Sequence, residues 1–182
     1  MEPPGAVYTV GMLQLAETIL DKSVLSLRTG TPVAEITGPI INPDNLKIEG
    51  FYCQDNVDKQ QLILLYQDIR DVLPQGLVID DHDVLVSAEE LIRLRDVIEL
   101  KFELIGKPVE TVNQEKVGKV NDYALEATTM FIQKLYVSQS ILKSFTGGNL
   151  SIDRTQIHEI TPKKIIINEL LETVPAGAAA TA

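Results

Sequence analysis

Asp80-Asp81-His82-Asp83 is the densest group of possible ligands and proton carriers in this 182-residue chain. Carboxylates and imidazole can together hold a divalent cation, which makes Asp81, His82 and Asp83 the metal candidates. Neighbours in an extended segment point to alternate faces, however, so only two of the four converge locally. An EF-hand loop starting at Asp81 needs Gly at 86 and Glu at 92, where the chain has Val86 and Ile92. The segment therefore reads as a solvated turn before Val84-Leu85-Val86, with no metal and no cofactor expected.

Other chemistry finds less support. His158, the second of two histidines, sits beside an apolar position as an exposed strand residue, and no partner is spaced for a Ser/His/Asp triad. Cys53 is the single cysteine and lies in Phe51-Tyr52-Cys53, so it reads as a buried, inert thiol. Gly106-Lys107 is followed by Pro108, and residue 101 is Lys, so a Walker A loop fails. Gly147-Gly148-Asn149 is a turn rather than a dinucleotide fingerprint, and Lys163-Lys164 is a solvated turn. Asn149-Leu150-Ser151 fits a glycosylation acceptor, in a chain that reads as cytoplasmic. No catalytic residue is expected, and a small metal-dependent enzyme is the weakest of the functional readings.

Charge adds a constraint. The chain has 26 Asp/Glu and 16 Lys/Arg, a formal net of −10. Residues 1–100 hold 7 Lys/Arg against 17 Asp/Glu, and residues 101–182 hold 9 of each, so the whole surplus sits in the first half. Direct nucleic-acid binding needs a basic surplus and is disfavoured. An acidic half suits a basic protein partner, chiefly through faster encounter. Met1-Glu2-Pro3-Pro4-Gly5 is not a secretory leader, and the longest apolar run, Leu62 to Tyr66, is far too short to span a membrane.

The elements that would position these residues come in two copies. Ile69 to Asp80 aligns without a gap on Ile157 to Asn168, matching Ile69 with Ile157, Pro74 with Pro162 and Ile79 with Ile167. Each copy reads as a short strand, a Pro turn and a second short strand. Upstream, Gly30-Thr31-Pro32-Val33 pairs by type with Gly106-Lys107-Pro108-Val109, and the different offset implies unequal loops. Lys107 to Val112, a turn near Asn113, and Val117 to Val120 suggest a hairpin. Phe131, Gln133, Leu135 and Val137 would share one face of a later strand. Between the copies, Ser87-Ala88-Glu89-Glu90 is a capping box, and Leu91, Leu94 and Ile98 follow at helical spacing. Met12, Leu15, Ala16, Ile19 and Leu20 also fit a helix, while Val24, Leu25 and Leu27 could begin the first β unit.

Gly106-Lys107-Pro108-Val109 leading to Val117-Gly118-Lys119-Val120-Asn121-Asp122 resembles the opening hairpin of the PRC-barrel domain family, and Ile157 to Ile167 resembles its closing strand pair. That family includes the cytoplasmic part of the photosynthetic reaction-centre H subunit and the C-terminal domain of RimM-type ribosome maturation factors. The first copy departs from the pattern, with Pro39-Ile40-Ile41-Asn42-Pro43 where a Gly-Lys-Val hairpin would stand. The resemblance implies a mainly β protein of two tandem small PRC-like β-barrels with a short connecting helix. Its motif residues here are Gly30, Pro32, Val33, Pro74, Gly106, Lys107, Val109, Gly118, Lys119, Val120 and Pro162. The expected organisation is an N-terminal segment (1–22), a first barrel (23–86), a linking helix (87–100), a second barrel (101–170) and a flexible tail (171–182). The family carries over no catalytic residues. The duplicated small-barrel pattern, the missing catalytic constellation and the one-sided charge point to a protein-interaction module or adaptor, and the resemblance to RimM-type factors suggests, alternatively, a ribosome-maturation factor of that type.

Overall fold

Short runs of Val, Ile and Leu, each ended by Pro, Gly, Asn or Asp, bury one face and turn back before a helix could nucleate. The computed structural model is accordingly mainly β, and it describes residues 13–138 and 149–169. Met12, the Gly147-Gly148 turn and the tail 171–182 lie outside the described residues. In chain order the strands are β1 (Leu13–Leu15), β2 (Ser23–Ser26), β3 (Pro32–Asn42), β4 (Lys47–Asp55), β5 (Gln61–Leu65), β6 (Ile69–Leu73) and β7 (Gly76–Ile79). A linker with helix α1 (Arg95–Leu100) follows. Then come β8 (Pro108–Thr111), β9 (Lys116–Glu126), β10 (Ile132–Ser138), β11 (Asn149–Asp153), β12 (Ile157–Ile160) and β13 (Ile165–Ile167).

Two sheets form with one topology. The first runs β5-β4-β3-β2-β7-β6 and the second β11-β10-β9-β8-β13-β12, with β1 added on β9. In each, the first and last strands of the six pair in parallel (β2 with β7, β8 with β13), and all other pairs are antiparallel. Both sheets are open paths; among the described residues no strand pairing closes either into a barrel.

The duplication extends to the register. Ile41 faces Ile48 as Leu125 faces Ile132, and Ile40 faces Gly50 as Ala124 faces Lys134, so both hairpins step over one residue, Glu49 or Gln133. A second irregularity matches at Thr37 and Asn121, and a third at Arg70 and His158 in the β6–β7 and β12–β13 pairs. Bulges bend a strand and raise its twist, so matched bulges give the sheets matched curvature. The buried residues correspond too: Val24 and Val109, Ile36 and Val120, Phe51 and Leu135, Cys53 and Val137, Leu64 and Ile152, Ile79 and Ile167. All of them belong to one continuous core.

The halves meet at the tips of the β3–β4 and β9–β10 hairpins. Ile48 N–H donates to the Met130 carbonyl, and Ile132 N–H donates to the Leu46 carbonyl, each at 2.9 Å. Ile48 and Ile132 are equivalent, as are Leu46 and Met130, so the contact is reciprocal, as across a two-fold axis. The axis passes between Lys47 and Phe131, which bridge each other. Leu46 (φ 49°) and Met130 (φ 59°) both adopt the left-handed conformation and bury their side chains.

Several expectations change. The aligned Gly30-Thr31-Pro32-Val33 and Gly106-Lys107-Pro108-Val109 are not equivalent. Pro32 opens β3, whereas Pro108 opens β8, the counterpart of β2. Pro is tolerated at the first residue of any strand, so the motif marks a strand start without saying which strand. The 87–100 helix is split. Its capping box forms, but over a 3-10 turn (Ala88–Glu90); a second turn (Ile92–Leu94) precedes the six-residue α1. Leu91, at ψ 64°, breaks the run. No residue from 88 to 100 is buried, so tertiary packing does not support a longer helix. From Leu13 onward the expected N-terminal helix is replaced by strand β1 and a 3-10 turn (Ala16–Thr18), with Ala16 and Ile19 buried one turn apart. On β10 the bulge at Gln133 puts Ile132, Leu135 and Val137 in the core, and Phe131 and Gln133 leave it. No helix among the described residues is long and apolar enough to cross a membrane.

Truncating either hairpin tip should destabilise the whole molecule. Leu46→Ala and Met130→Ala are each expected to cost about 2–4 kcal/mol. Because the core is continuous, thermal unfolding should stay a single transition; separate transitions for the two halves would contradict this packing.

Candidate functional site

The polar cluster expected at 80–83 is present, but only Asp81 and Asp83 share a partner, the Arg28 guanidinium, while Asp80 and His82 turn elsewhere. Asp80 pairs with Arg70 across β6 and β7 at 2.5 Å. Asp81 accepts from the Ser26 hydroxyl at 2.9 Å and pairs with Arg28 Nε at 2.9 Å. Asp83 is exposed, 3.9 Å from the same guanidinium. His82 opens a 3-10 turn (His82–Val84) and turns its Nε2 to the Asp55 carboxylate, which is 2% exposed at the end of β4. Asp81, His82 and Asp83 therefore do not converge, and among the described residues no three His, Cys, Asp or Glu side chains assemble as metal ligands.

Asp55 is the residue that sequence reading missed. One carboxylate oxygen accepts the N–H groups of Val57 (2.6 Å) and Asp58 (3.2 Å), shaping the β4–β5 turn, and the other meets His82. Asp55-Asn56-Val57-Asp58 carries the signal of an Asx turn, in which a carboxylate binds backbone two residues on. The His82 hydrogen bond, then that of Val57, holds the Asp55 carboxyl below its ordinary range against the opposing effect of burial. Ser26 is spent on Asp81, so serine, histidine and aspartate do not line up as a nucleophile, base and orienter. The cluster instead ties three segments: the β2–β3 turn through Arg28, the β4–β5 turn through Asp55, and the exit of β7 through Asp81 and His82.

The remaining motif residues are structural. Gly30 lies in the β2–β3 turn beside Pro32 and Val33, and Pro74 and Pro162 occupy the turns after β6 and β12. Gly106 sits at φ +83°, turning the chain into β8, where Val109 is buried. Lys107 Nζ donates to the Pro162 carbonyl at 2.6 Å, linking the opening hairpin to the closing turn. At Gly118 a Cβ would stand 2.1 Å from the Ser138 carbonyl oxygen, so only glycine lets β9 approach β10 there; Lys119 and Val120 continue that strand. Lys164 pairs with Glu110 at 2.7 Å, which leaves no free lysine pair at 163–164. His158 is exposed on β12. Cys53 is fully buried, and burial pushes its thiol up to about 12.

A groove of about 560 Å³ lies beside the linker. Leu65, Tyr66, Leu91 and Leu94 line it, together with Glu49, Glu90 and Arg93. The linker is anchored on both sides of this groove. Leu85 is buried and Val86 bridges Ile63 of β5 on one side; Phe102 and Leu104 are buried on the other. Between the anchors Ile92 is 72% exposed.

A scan against protein-family models and a search of curated proteins give no match to this chain.

Two measurements check this geometry. Asp55→Ala should cost about 0.5–1.5 kcal/mol by removing the hydrogen bonds that Asp55 accepts from the Val57 and Asp58 N–H groups. A carboxyl with a lowered folded pKa contributes stability that is complete above its unfolded value, near 4, and is lost as pH falls through the folded value. Urea midpoints should therefore fall less steeply between pH 5 and pH 2.5 in Asp55→Asn than in the wild type, and parallel curves would contradict it. Separately, Cys53 should resist a disulfide reagent at pH 8 in the folded chain and react at once in denaturant.

Proposed function

We propose that this chain is a non-enzymatic interaction module, two PRC-like β-barrels in tandem, whose acidic first unit takes a basic protein partner. The observation that carries the reading is the distribution of charge over a duplicated scaffold. The two sheets share strand order, register and bulges, yet the entire net charge of −10 belongs to residues 1–100. Two units with one architecture and different surfaces fit a division between a docking unit and a supporting one. Matched bulges that curl each sheet, and Gly106, Lys107 and Gly118 in the β8–β9 hairpin, support the PRC-barrel comparison. Negative potential on one face accelerates encounter with a basic surface and does so less as salt rises.

Affinity capture with the tagged full chain at low and high salt tests the proposal. Basic proteins should be retained at low salt and released progressively as salt increases. Co-sedimentation with the small ribosomal subunit would place that partner among basic ribosomal proteins, as in the RimM-like comparison. No protein retained at either salt would overturn the proposal.

A further inference from the structure

The backbone contact between the hairpin tips does not tell one half from the other. Ile48 N–H on the Met130 carbonyl and Ile132 N–H on the Leu46 carbonyl are one bond made in both directions. Two first halves, or two second halves, could make it equally well. The lead-in to each half is reciprocal too: β1 pairs with β9 of the opposite half, and α1 lies beside β3. The side chains on the axis are not reciprocal. Lys47 bridges Phe131 there. Tyr66 and Arg154 flank them, each the first residue of an equivalent 3-10 turn (Tyr66–Asp68 and Arg154–Gln156). Lys47 Nζ lies 3.5 Å from the Tyr66 ring centroid and 5.6 Å from that of Phe131, and the Arg154 guanidinium lies 4.8 Å from Phe131. All four residues are half-buried. The row reads ring, cation, ring, cation, with three cation–ring contacts.

We infer that the order of this row, rather than its composition, is the recognition element that fits the first half to the second. Paired first halves would set two Lys47 ammoniums against each other on the axis, where like charges repel. Paired second halves would set two Phe131 rings there and leave the axis without a cation. Unlike halves alone place a cation against a ring at every step, and such contacts strengthen as they leave water. Arg154 is held in the row from across the interface, since its Nη2 donates to the Asn45 carbonyl of the first half at 2.6 Å. The partner that each half selects is therefore its complement in the duplicated chain.

Thermal unfolding of four full-length chains of identical composition tests this. One double variant carries Lys47→Phe and Phe131→Lys, another carries Tyr66→Arg and Arg154→Tyr, and a quadruple variant carries all four changes. Each double variant keeps one cation–ring contact and puts two cations side by side, so its Tm should fall by about 4–8 °C. The quadruple variant restores the alternation in reverse and should recover more than half of that loss. Recovery stays partial because Glu49, 4.0 Å from Lys47 Nζ, has Gln133 as its equivalent. Double variants as stable as the wild type, or a quadruple variant whose loss is the sum of the two, would overturn the inference. A milder cycle decides the matter where the exchanged chains do not fold. Lys47→Met should lower the Tm by about 2–4 °C in the wild type, and by less than half as much beside Tyr66→Leu and Phe131→Leu. Equal lowering in both backgrounds would overturn it as well.

Discussion

Two backbone hydrogen bonds, Ile48 N–H to Met130 and Ile132 N–H to Leu46, hold the hairpin tips of the two halves against each other. Hairpin tips normally face water because their backbone groups need partners. Here each tip satisfies the other, which lets Leu46 and Met130 carry their side chains into a shared core. The left-handed backbone at these two non-glycine residues costs about 1–3 kcal/mol each, a cost offset by burial of both side chains. Around the axis a stack of alternating rings and cations completes the contact. Lys47 lies 3.5 Å from the Tyr66 ring centroid and 5.6 Å from that of Phe131, and the Arg154 guanidinium lies 4.8 Å from Phe131. Cation and ring have changed places between the halves: Lys47 with Tyr66 on one side, Phe131 with Arg154 on the other. Arg154 Nη2 donates to the Asn45 carbonyl, while Nη1 is buried without a hydrogen-bond partner and relies on the stack.

The symmetry of the clasp makes the differences between the halves informative. Core positions keep their apolar character, because each sheet needs the same buried face. The departures are at the surface and in the connections: a net charge of −10 in residues 1–100, a linker laid beside β5, and Tyr66 where the second half has Arg154. A rigid, duplicated body of this kind holds the linker at its two buried anchors and leaves Ile92 outward between them. The Asp55–His82 and Asp81–Arg28 contacts fix the point where the linker departs from β7.

Much of the fold was legible because duplication leaves matched residues at a constant spacing. Ile69 to Ile79 and Ile157 to Ile167 are the same strand–turn–strand element at the same register. The Gly-x-Pro-Val match misled, since a proline at a strand start carries no information about strand order. Bulges were invisible for a related reason: one inserted residue at Gln133 reverses which face is buried, and no residue type announces it. The capping box at Ser87 and Glu90 was correctly readable, whereas the helix it seemed to begin depended on a buried face that residues 88–100 lack. At the candidate sites, the 3-10 turn at His82 sends the imidazole to Asp55 while Asp81 and Asp83 face Arg28. Asp55 lies 27 positions before its partner His82, a separation that local patterns do not cross.

The claim on which the rest depends is that the clasp makes one cooperative body of two equivalent halves. Native-state hydrogen exchange at the Ile48 and Ile132 amides measures it directly. Both amides should exchange only through global unfolding, with protection equal to each other and to that of Leu64 and Ile152 in the two sheets. Exchange at Ile48 and Ile132 through a low-energy opening, while the sheet interiors stay protected, would show that the halves separate freely and would contradict the account.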